Sequence, residues 1–369
     1  MLAAKGAELA RLSERLIGRA GELGQIMDAL TAIDEGRPAL IEVIGEPGIG
    51  KTRLLAELAN LADLRGHIVL SGCAAELERD LPFWVFVDAL DEYVHGLDPR
   101  LLASLDDDVR NELASVLPSL SASHDGAPTL GDERYRAHRA ICELLERLSS
   151  QKGVVLILDD FHWADSASVE LLGALLRRPP DAPVLIALAY RPRQVPERLA
   201  SALQRAQRAG TLERVELSAL TRREAGELLD SSLGDTAASA LYHDSGGNPF
   251  YLEQPARSFR RGRVEVPSAP SELARSAGFE VPRSVAAALA EELGFLSHGA
   301  RRLLEGAAVA GDPFDPELAG AAAAATKDTV ADSLDELLRL DLIRPTDIPR
   351  RFRFRHPAPL RRAAPRLPA

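Results

Sequence analysis

Along the first 220 residues, short unbroken apolar runs alternate with segments whose apolar side chains recur every three or four positions. The runs at 39–44, 67–72, 154–158 and 184–189 are too short for helices, rich in Val and Ile, and apolar at successive positions, so they predict buried parallel strands. A weaker run at 212–217 predicts a fifth. Between them Leu54, Leu55, Leu58 and Leu61, then Ile141, Leu144, Leu145 and Leu148, then residues 169–176, fall at helical spacing. Strands that alternate with helices predict an α/β fold, a parallel sheet covered on both faces. Residues 76–130 read as a mostly helical insertion punctuated by Pro82, Pro118 and Pro128.

Past residue 220 the strand signal fades. Residues 221–232 and 237–245 read as helices, followed by Gly246-Gly247-Asn248-Pro249. Residues 256–283 are rich in Arg, Ser, Pro and Gly and read as a linker. From Val285 to about His356 the pattern is a compact helical unit that closes on Leu342-Ile343-Arg344 and Arg351-Phe352-Arg353-Phe354-Arg355. The last five alternate, phenylalanines on one face and arginines on the other, as in a winged helix. The expected divisions are a sheet core at 1–220, a helical lid subdomain at 221–255, a linker at 256–284, a winged-helix-like domain at 285–356 and a disordered Arg/Pro-rich tail at 357–369.

The segment GEPGIGKT at 45–52 is a complete G-x-x-x-x-G-K-[ST] phosphate-binding loop, and it lies between a predicted strand and a predicted helix. That context makes the fold class a P-loop NTPase sheet. Gly45, Gly48 and Gly50 let the backbone point successive N–H groups inward, and Glu46, Pro47, Ile49 and Arg53 complete the candidate cradle. Lys51 can place a charge near the β- and γ-phosphates of ATP, and Thr52 can place a hydroxyl on Mg²⁺. A second metal-side carboxylate is expected at the end of another buried strand, where Val154-Val155-Leu156-Ile157-Leu158 runs into Asp159-Asp160. A carboxylate there needs a partner or a cation to offset desolvation. Asp159 is assigned to Mg²⁺. Asp160 is read either as the group that orients or activates the attacking water, or as a helix N-cap or an acid that stands behind the metal's own ligands. Asp reaches less far than Glu, so hydrolysis is expected to be slow.

At 369 residues the chain suggests two or three domains at about 150 residues each. No apolar stretch approaches the roughly 20 residues that cross a bilayer, and the amphipathic, charged start is not a secretory signal, so a cytoplasmic location and no membrane contact are expected. Cys73 and Cys142 have no metal-ligand spacing and are expected to be small buried residues. A net charge of −11 argues against a protein that coats nucleic acid. The stretch from Arg344 to Ala369 carries eight arginines and six prolines, which predicts an extended, solvated tail.

With these pieces in place the chain resembles the AAA-type ATPase module of large ATP-binding LuxR-family regulators, within the signal-transduction ATPases with numerous domains (STAND). The likeness covers roughly residues 15–356 and rests on Leu16-Ile17-Gly18-Arg19 with Glu22, GEPGIGKT at 45–52, ERDLPF at 78–83, LILDDFHWAD at 156–165, LAYRPR at 188–193 and SGGNPFYLEQ at 245–254. The resemblance implies that Arg19 approaches the adenine side of the nucleotide, that Arg191 is a sensor facing the γ-phosphate, and that Pro249 lies against the base or ribose. It would also allow Arg177 or Arg178 to reach a neighbouring protomer's nucleotide, solvated arginines being the plainer alternative. His162 and Trp163 suggest no chemical role, His162 being expected as a packed, hydrogen-bonded residue, and Asp165 is expected to cap the helix that carries Val169. Regulators of this kind continue into helical repeats and a helix-turn-helix, which residues 1–369 do not include. A truncated form without DNA contact of its own is therefore the expectation.

The function so implied is an ATP-binding, slowly hydrolysing switch with ATP and Mg²⁺ as cofactors, ADP as product, a homo-oligomer in the ATP state, and an unidentified signalling protein or ligand as partner. Other readings of the same motifs are a non-hydrolysing ATP-bound scaffold, an origin-type DNA-associated ATPase that uses the Arg351–Arg355 strand, and a phosphotransferase acting on a small acceptor.

Overall fold

The computed structural model describes residues 16–120, 133–229, 235–253 and 296–354 apart from single positions at 312, 341, 347 and 349, together with Leu293. The expected linker, the tail and Arg355 lie outside the described residues. Contacts divide the chain into two units, Met1–Ser218 and Ala219–Ala369.

The first unit is built on five parallel strands, β1 (Ala39–Gly45), β2 (Ile68–Cys73), β3 (Val154–Asp159), β4 (Val184–Tyr190) and β5 (Glu213–Leu217), in the order β2-β3-β4-β1-β5. The α/β class read from the alternation holds. Period two explains why the central runs are apolar throughout. Val154, Leu156 and Leu158 enter the core shared with the helices Trp84–His95, Glu133–Leu148 and Ser166–Arg177, while Val155 and Ile157 enter the core shared with Ala20–Asp34 and Lys51–Leu64. The parity of β3 therefore carries Asp159 to the face of the helix Lys51–Leu64. β2 starts one residue later than its apolar run suggests. The His67 N–H bonds the Ala62 carbonyl (3.0 Å) at the end of that helix, and its Nε2 meets Asp34 (2.9 Å), so His67 belongs to the turn.

One ionisable residue interrupts β1. The fully buried Glu42 accepts from the Tyr190 hydroxyl (2.6 Å) on β4 and from Arg214 Nε (2.5 Å) on β5, so the charge that burial penalises is met from both neighbouring strands. Burial, then the Glu42 carboxylate, push the Tyr190 hydroxyl's pKa far up and keep it a donor. At the edge of the sheet the helix Trp84–His95 packs so close to β2 that a Cβ on Gly72 would lie 2.1 Å from the Val85 carbonyl oxygen. Among the described residues no helix is long and apolar enough to cross a membrane.

In the second unit, the helices Arg222–Leu229 and Asp235–Ser245 share a small core of Leu220, Ala225, Leu229, Leu241 and Leu252. A larger core joins the helices His298–Ala310, Pro316–Ala322 and Lys327–Arg339 to an antiparallel hairpin, β6 (Ile343–Pro345) and β7 (Phe352–Phe354). Ser297, Asp315 and Thr326 cap the three helices with side-chain oxygens. Phe314 exchanges two backbone hydrogen bonds with Phe352 (2.7 and 3.0 Å), and its ring packs against Phe352 and Phe354. Phe354 is buried and Arg353 exposed, with Arg344 in register opposite it, so the alternation in β7 sorts the side chains as its pattern implies.

Two glycines test this packing in opposite directions. Gly72→Ala must displace helix backbone and is expected to cost about 1–3 kcal/mol. Gly24→Ala, on an exposed helical face with nothing within 4 Å, is expected to add about 0.5–1 kcal/mol by lowering backbone entropy in the unfolded chain. Urea denaturation of both variants measures the difference; equal midpoints would contradict the close approach at β2.

Candidate functional site

β1 ends at Gly45, and the chain turns through residues 46–50 into the helix Lys51–Leu64. Gly48 (φ 72°) and Gly50 (φ 106°) occupy left-handed backbone that side chains resist. A Cβ on Gly45 would lie 2.8 Å from Ile49 Cγ2 and 3.0 Å from the Leu217 carbonyl, so the loop closes tightly against β5. Ile49 is buried and anchors the turn, while Gly48 faces solvent and Glu46, Pro47 and Arg53 are half-buried. The helix begins without a side-chain cap, and a Cβ on Gly50 would meet nothing within 4 Å, which leaves open space over its positive end. That is the form of an anion cradle.

Three adjacent strands converge on this space. Lys51 follows β1, Asp159 and Asp160 end β3, and Arg191 follows β4, all at the carboxyl edge where open α/β sheets hold ligands. Lys51 is buried, with Nζ donating to the carbonyls of Gly45 (3.1 Å) and Glu46 (3.0 Å). Burial, with the Arg191 charge added, lowers its pKa to about 8 against the opposing pull of Asp160, Asp159 and Glu46. Asp159, also buried, accepts from the Thr52 hydroxyl and from the Asp160 N–H (2.8 Å). Burial first, then the Asp160 charge, raise its pKa to about 6. Thr52 and Asp159 together offer hard oxygen donors at the mouth of the cradle, the donor type Mg²⁺ takes alongside nucleotide phosphates. Asp160 has left-handed backbone (φ 46°) at the start of the turn Phe161–Trp163 and makes no side-chain cap there, so the capping alternative is not realised.

The remaining expected residues are placed differently. Arg19 is buried beside the loop, and its guanidinium donates to the carbonyls of Ile49 (3.2 Å) and Ser218 (2.8 Å) and to Glu22 (3.1 Å). Protein acceptors, as well as a position near the loop, thus account for it. Pro249 lies in the second unit, where Asn248 Oδ1 accepts from the Phe250 N–H (3.1 Å). Arg177 and Arg178 are exposed at the end of the helix Ser166–Arg177. Cys73, at the end of the edge strand β2, is exposed and Cys142 half-buried, against the expectation of burial. A strand at the rim of a sheet lacks the neighbour that would have covered Cys73.

Two residues do more than the sequence pattern indicates. Asp165 caps the helix Ser166–Arg177 through the Ser168 N–H (2.9 Å) and hydroxyl (2.5 Å), and it also accepts from the N–H groups of Phe83 (3.0 Å) and Trp84 (3.2 Å) at the start of the helix Trp84–His95. One carboxylate holds the positive ends of two helices. Arg79 lies over the Trp163 ring (4.7 Å to its centroid) and donates to the His162 carbonyl (3.3 Å). The sequence signal for both is confined to the motifs that contain them, ERDLPF and HWAD. His162 is packed as expected, yet neither ring nitrogen has a hydrogen-bond partner among the described residues.

Residues 15–187 match the AAA ATPase domain. Over that stretch the match indicates an ATPase domain of the P-loop type, a fold that implies nucleotide binding. A Walker-type ATPase of Pyrococcus abyssi superposes with a TM-score of 0.55 at 14% identity, over 95% of this chain and 96% of the other. The Aeropyrum pernix ORC1 protein in complex with DNA superposes with a TM-score of 0.50 at 15% identity, over 96% and 93%. At such identities these likenesses speak for the fold alone. A curated relative, an uncharacterized protein of Rhizobium meliloti, is 28% identical over 219 residues, which is 52% of this chain and 20% of the relative. The match thus spans about a fifth of that relative's length.

Asp165→Ala is expected to destabilise the protein by about 2–4 kcal/mol, since two helix caps are lost and buried amides are left unpaired; a thermal shift below 2 °C would contradict the double cap. The Asp159 carboxyl should titrate near 6 in a carbon-13 spectrum of the nucleotide-free protein. Asp160→Asn removes a neighbouring negative charge and should move that midpoint down; an unmoved or raised midpoint counts against the cluster as described.

Proposed function

We propose that the chain is an ATP-driven switch, the ATPase module of a LuxR-type signal-transduction regulator, working in the cytoplasm and associating with further copies of itself in the ATP state. The ATP-driven part of this reading is supported by the convergence of Lys51, Thr52, Asp159, Asp160 and Arg191 at the ends of three neighbouring strands beside a loop that is open above Gly50, and the regulator part by the motif resemblance alone. Loop amides and Lys51 bind the phosphate chain, with Lys51 trading its two loop carbonyls for phosphate oxygens. Thr52 and Asp159 would hold Mg²⁺, which would supply positive charge to offset that of the phosphates. Asp160 orients the attacking water, and its short reach makes turnover slow. Arg191 distinguishes ATP from ADP by its approach to the γ-phosphate. Arg19 holds the loop from the adenine side. A switch needs differential contacts in its two states, and these residues supply the candidates. The signalling protein or ligand that sets the switch would act on the rest of the regulator.

A second reading is favoured by one specific feature. β6 and β7 place Arg344 and Arg353 opposite each other on an exposed face, as the wing of a winged helix would, and the ORC1 structure of similar fold was solved with DNA bound. An origin-type ATPase would use that face on a phosphate backbone.

Lys51→Ala is expected to reduce ATP affinity at least about a hundredfold by calorimetry, through loss of a charge-assisted contact in a buried site. Asp160→Asn should lower kcat by roughly 10²–10⁴ with little change in ATP affinity. Normal hydrolysis by the Lys51 variant would refute the site assignment. Light scattering with ADP and then with a non-hydrolysable ATP analogue tests the switch, whose mass should rise only with the analogue. Duplex DNA binding that weakens with salt and is lost in the Arg344→Ala, Arg353→Ala double variant would instead support the origin-type reading.

A further inference from the structure

His162 lies two residues past Asp160, its side chain fully sealed from solvent (0% exposed), and both ring nitrogens are without a hydrogen-bond partner among the described residues. A buried polar group left unsatisfied costs about 1–3 kcal/mol, whereas a phenylalanine would fill the same space without that cost. Packing alone therefore does not account for an imidazole at this position. The backbone around it is firmly held: Arg79 donates to the His162 carbonyl, the Trp163 N–H bonds the Asp160 carbonyl (2.9 Å), and the Trp163 ring packs against the imidazole at 5.2 Å between centroids. Among the described residues, Asp160 Oδ1 is the carboxylate oxygen that approaches the ring, 3.9 Å from Nδ1 and a little outside hydrogen-bond range. Burial, followed by the charges of Arg191, Lys51 and Arg79, lowers the imidazole pKa to about 2. The ring is therefore neutral, with one N–H to give and one lone pair, and it is no base for a proton at neutral pH.

Asp160 is pinned at its backbone on both sides, through its N–H to Asp159 and its carbonyl to Trp163, so the freedom left to its half-exposed carboxylate is rotation of its own side chain. A shift of about 1 Å brings Oδ1 within reach of Nδ1. We propose that His162 is a positioning residue for hydrolysis: in the nucleotide-bound state its Nδ1–H donates to Asp160 Oδ1, which fixes the carboxylate with Oδ2 turned to the attacking water. No proton changes hands at His162. The inference rests on the reading of this site as a magnesium–ATP site and adds to it the group that holds the water-orienting acid in place. The device also explains the unsatisfied imidazole, whose partner is then supplied by the working state.

Three substitutions separate this role from packing. His162→Asn sets an amide nitrogen where Nδ1 stands, His162→Gln sets one where Nε2 stands, and His162→Phe keeps volume alone. With KM within about twofold throughout, kcat is expected to stay within about threefold of wild type for Asn and to fall roughly ten- to a hundredfold for Gln and Phe. Wild-type kcat in the Phe variant would overturn the proposal. The nitrogen-15 spectrum of the wild-type imidazole gives a reading independent of turnover and of whether the variants fold. On addition of Mg²⁺ and a non-hydrolysable ATP analogue the neutral Nδ1–H tautomer should be present and its proton should move downfield. An Nε2–H tautomer, or an unmoved resonance in protein that calorimetry shows to bind the analogue, overturns the role of His162 while leaving the site assignment intact. Failure of the wild-type protein to bind ATP at all overturns the site assignment, and the His162 inference with it.

Discussion

Lys51 and Asp159 are both almost wholly withdrawn from water (6% and 8% exposed), and burial pushes them in opposite directions, the ammonium toward losing its proton and the carboxylate toward keeping one. Neither is brought back to its ordinary value by the groups around it. The opposing charges of Asp160 and Asp159 only partly offset burial at Lys51, while at Asp159 the nearby Asp160 adds to the penalty that Thr52 and the Asp160 amide relieve. A site in which both signs of charge are incompletely compensated gains from a ligand that carries both, an anion for the lysine and the loop amides, a cation for the carboxylate. Burial thus draws the two pKa values toward each other, the acid's upward and the base's downward.

Holding such groups together is work for the surrounding fold. β3 is buried at every position, so its register, and with it the place of Asp159, cannot slip by one residue without reversing both faces. The left-handed backbone at Asp160 turns the chain sharply once the strand is over, and the short turn that follows delivers Asp165 to the start of two helices at once. The helical insertion is thereby tied to the same dozen residues that bear the acids, first by Asp165 and again by Arg79 over Trp163. Displacing the insertion would disturb the acids through both ties.

What the sequence made legible follows the range over which each interaction acts. Strand positions, the helix after the loop and the cap at Asp165 depend on neighbours within a few residues, and period two and period 3.6 expose them directly. Asp165's bonds to Phe83 and Trp84 span 82 and 81 residues, and Arg19 reaches Ser218 across 199, distances over which one sequence has no periodic signal. The exposure of Cys73 depends on β2 being an edge strand, which follows from strand order and not from composition. His162 shows a third kind of limit. Its motif is plain in the sequence, but that its ring would be buried without a partner among the described residues is visible only once the burial and the 3.9 Å separation from Asp160 are known.

Arg19 shows how the loop and the end of the sheet unit constrain each other. Its guanidinium holds the Ile49 carbonyl within the loop and the Ser218 carbonyl at the last residue of the first unit, with Glu22 balancing its charge. The group is rigid and planar, so its hydrogen bonds are aimed together and a shift of one acceptor is felt at the other. On the other side of the loop, a side chain at Gly45 would collide with Leu217 and Ile49. Loop, β5 and the residue that leads out of the sheet are therefore in contact at two independent points, one polar and one steric. Any rearrangement of the loop backbone large enough to break the Ile49 contact must either carry Ser218 with it or leave a buried guanidinium without one of its partners, and the second course costs about as much as losing a charge-assisted hydrogen bond.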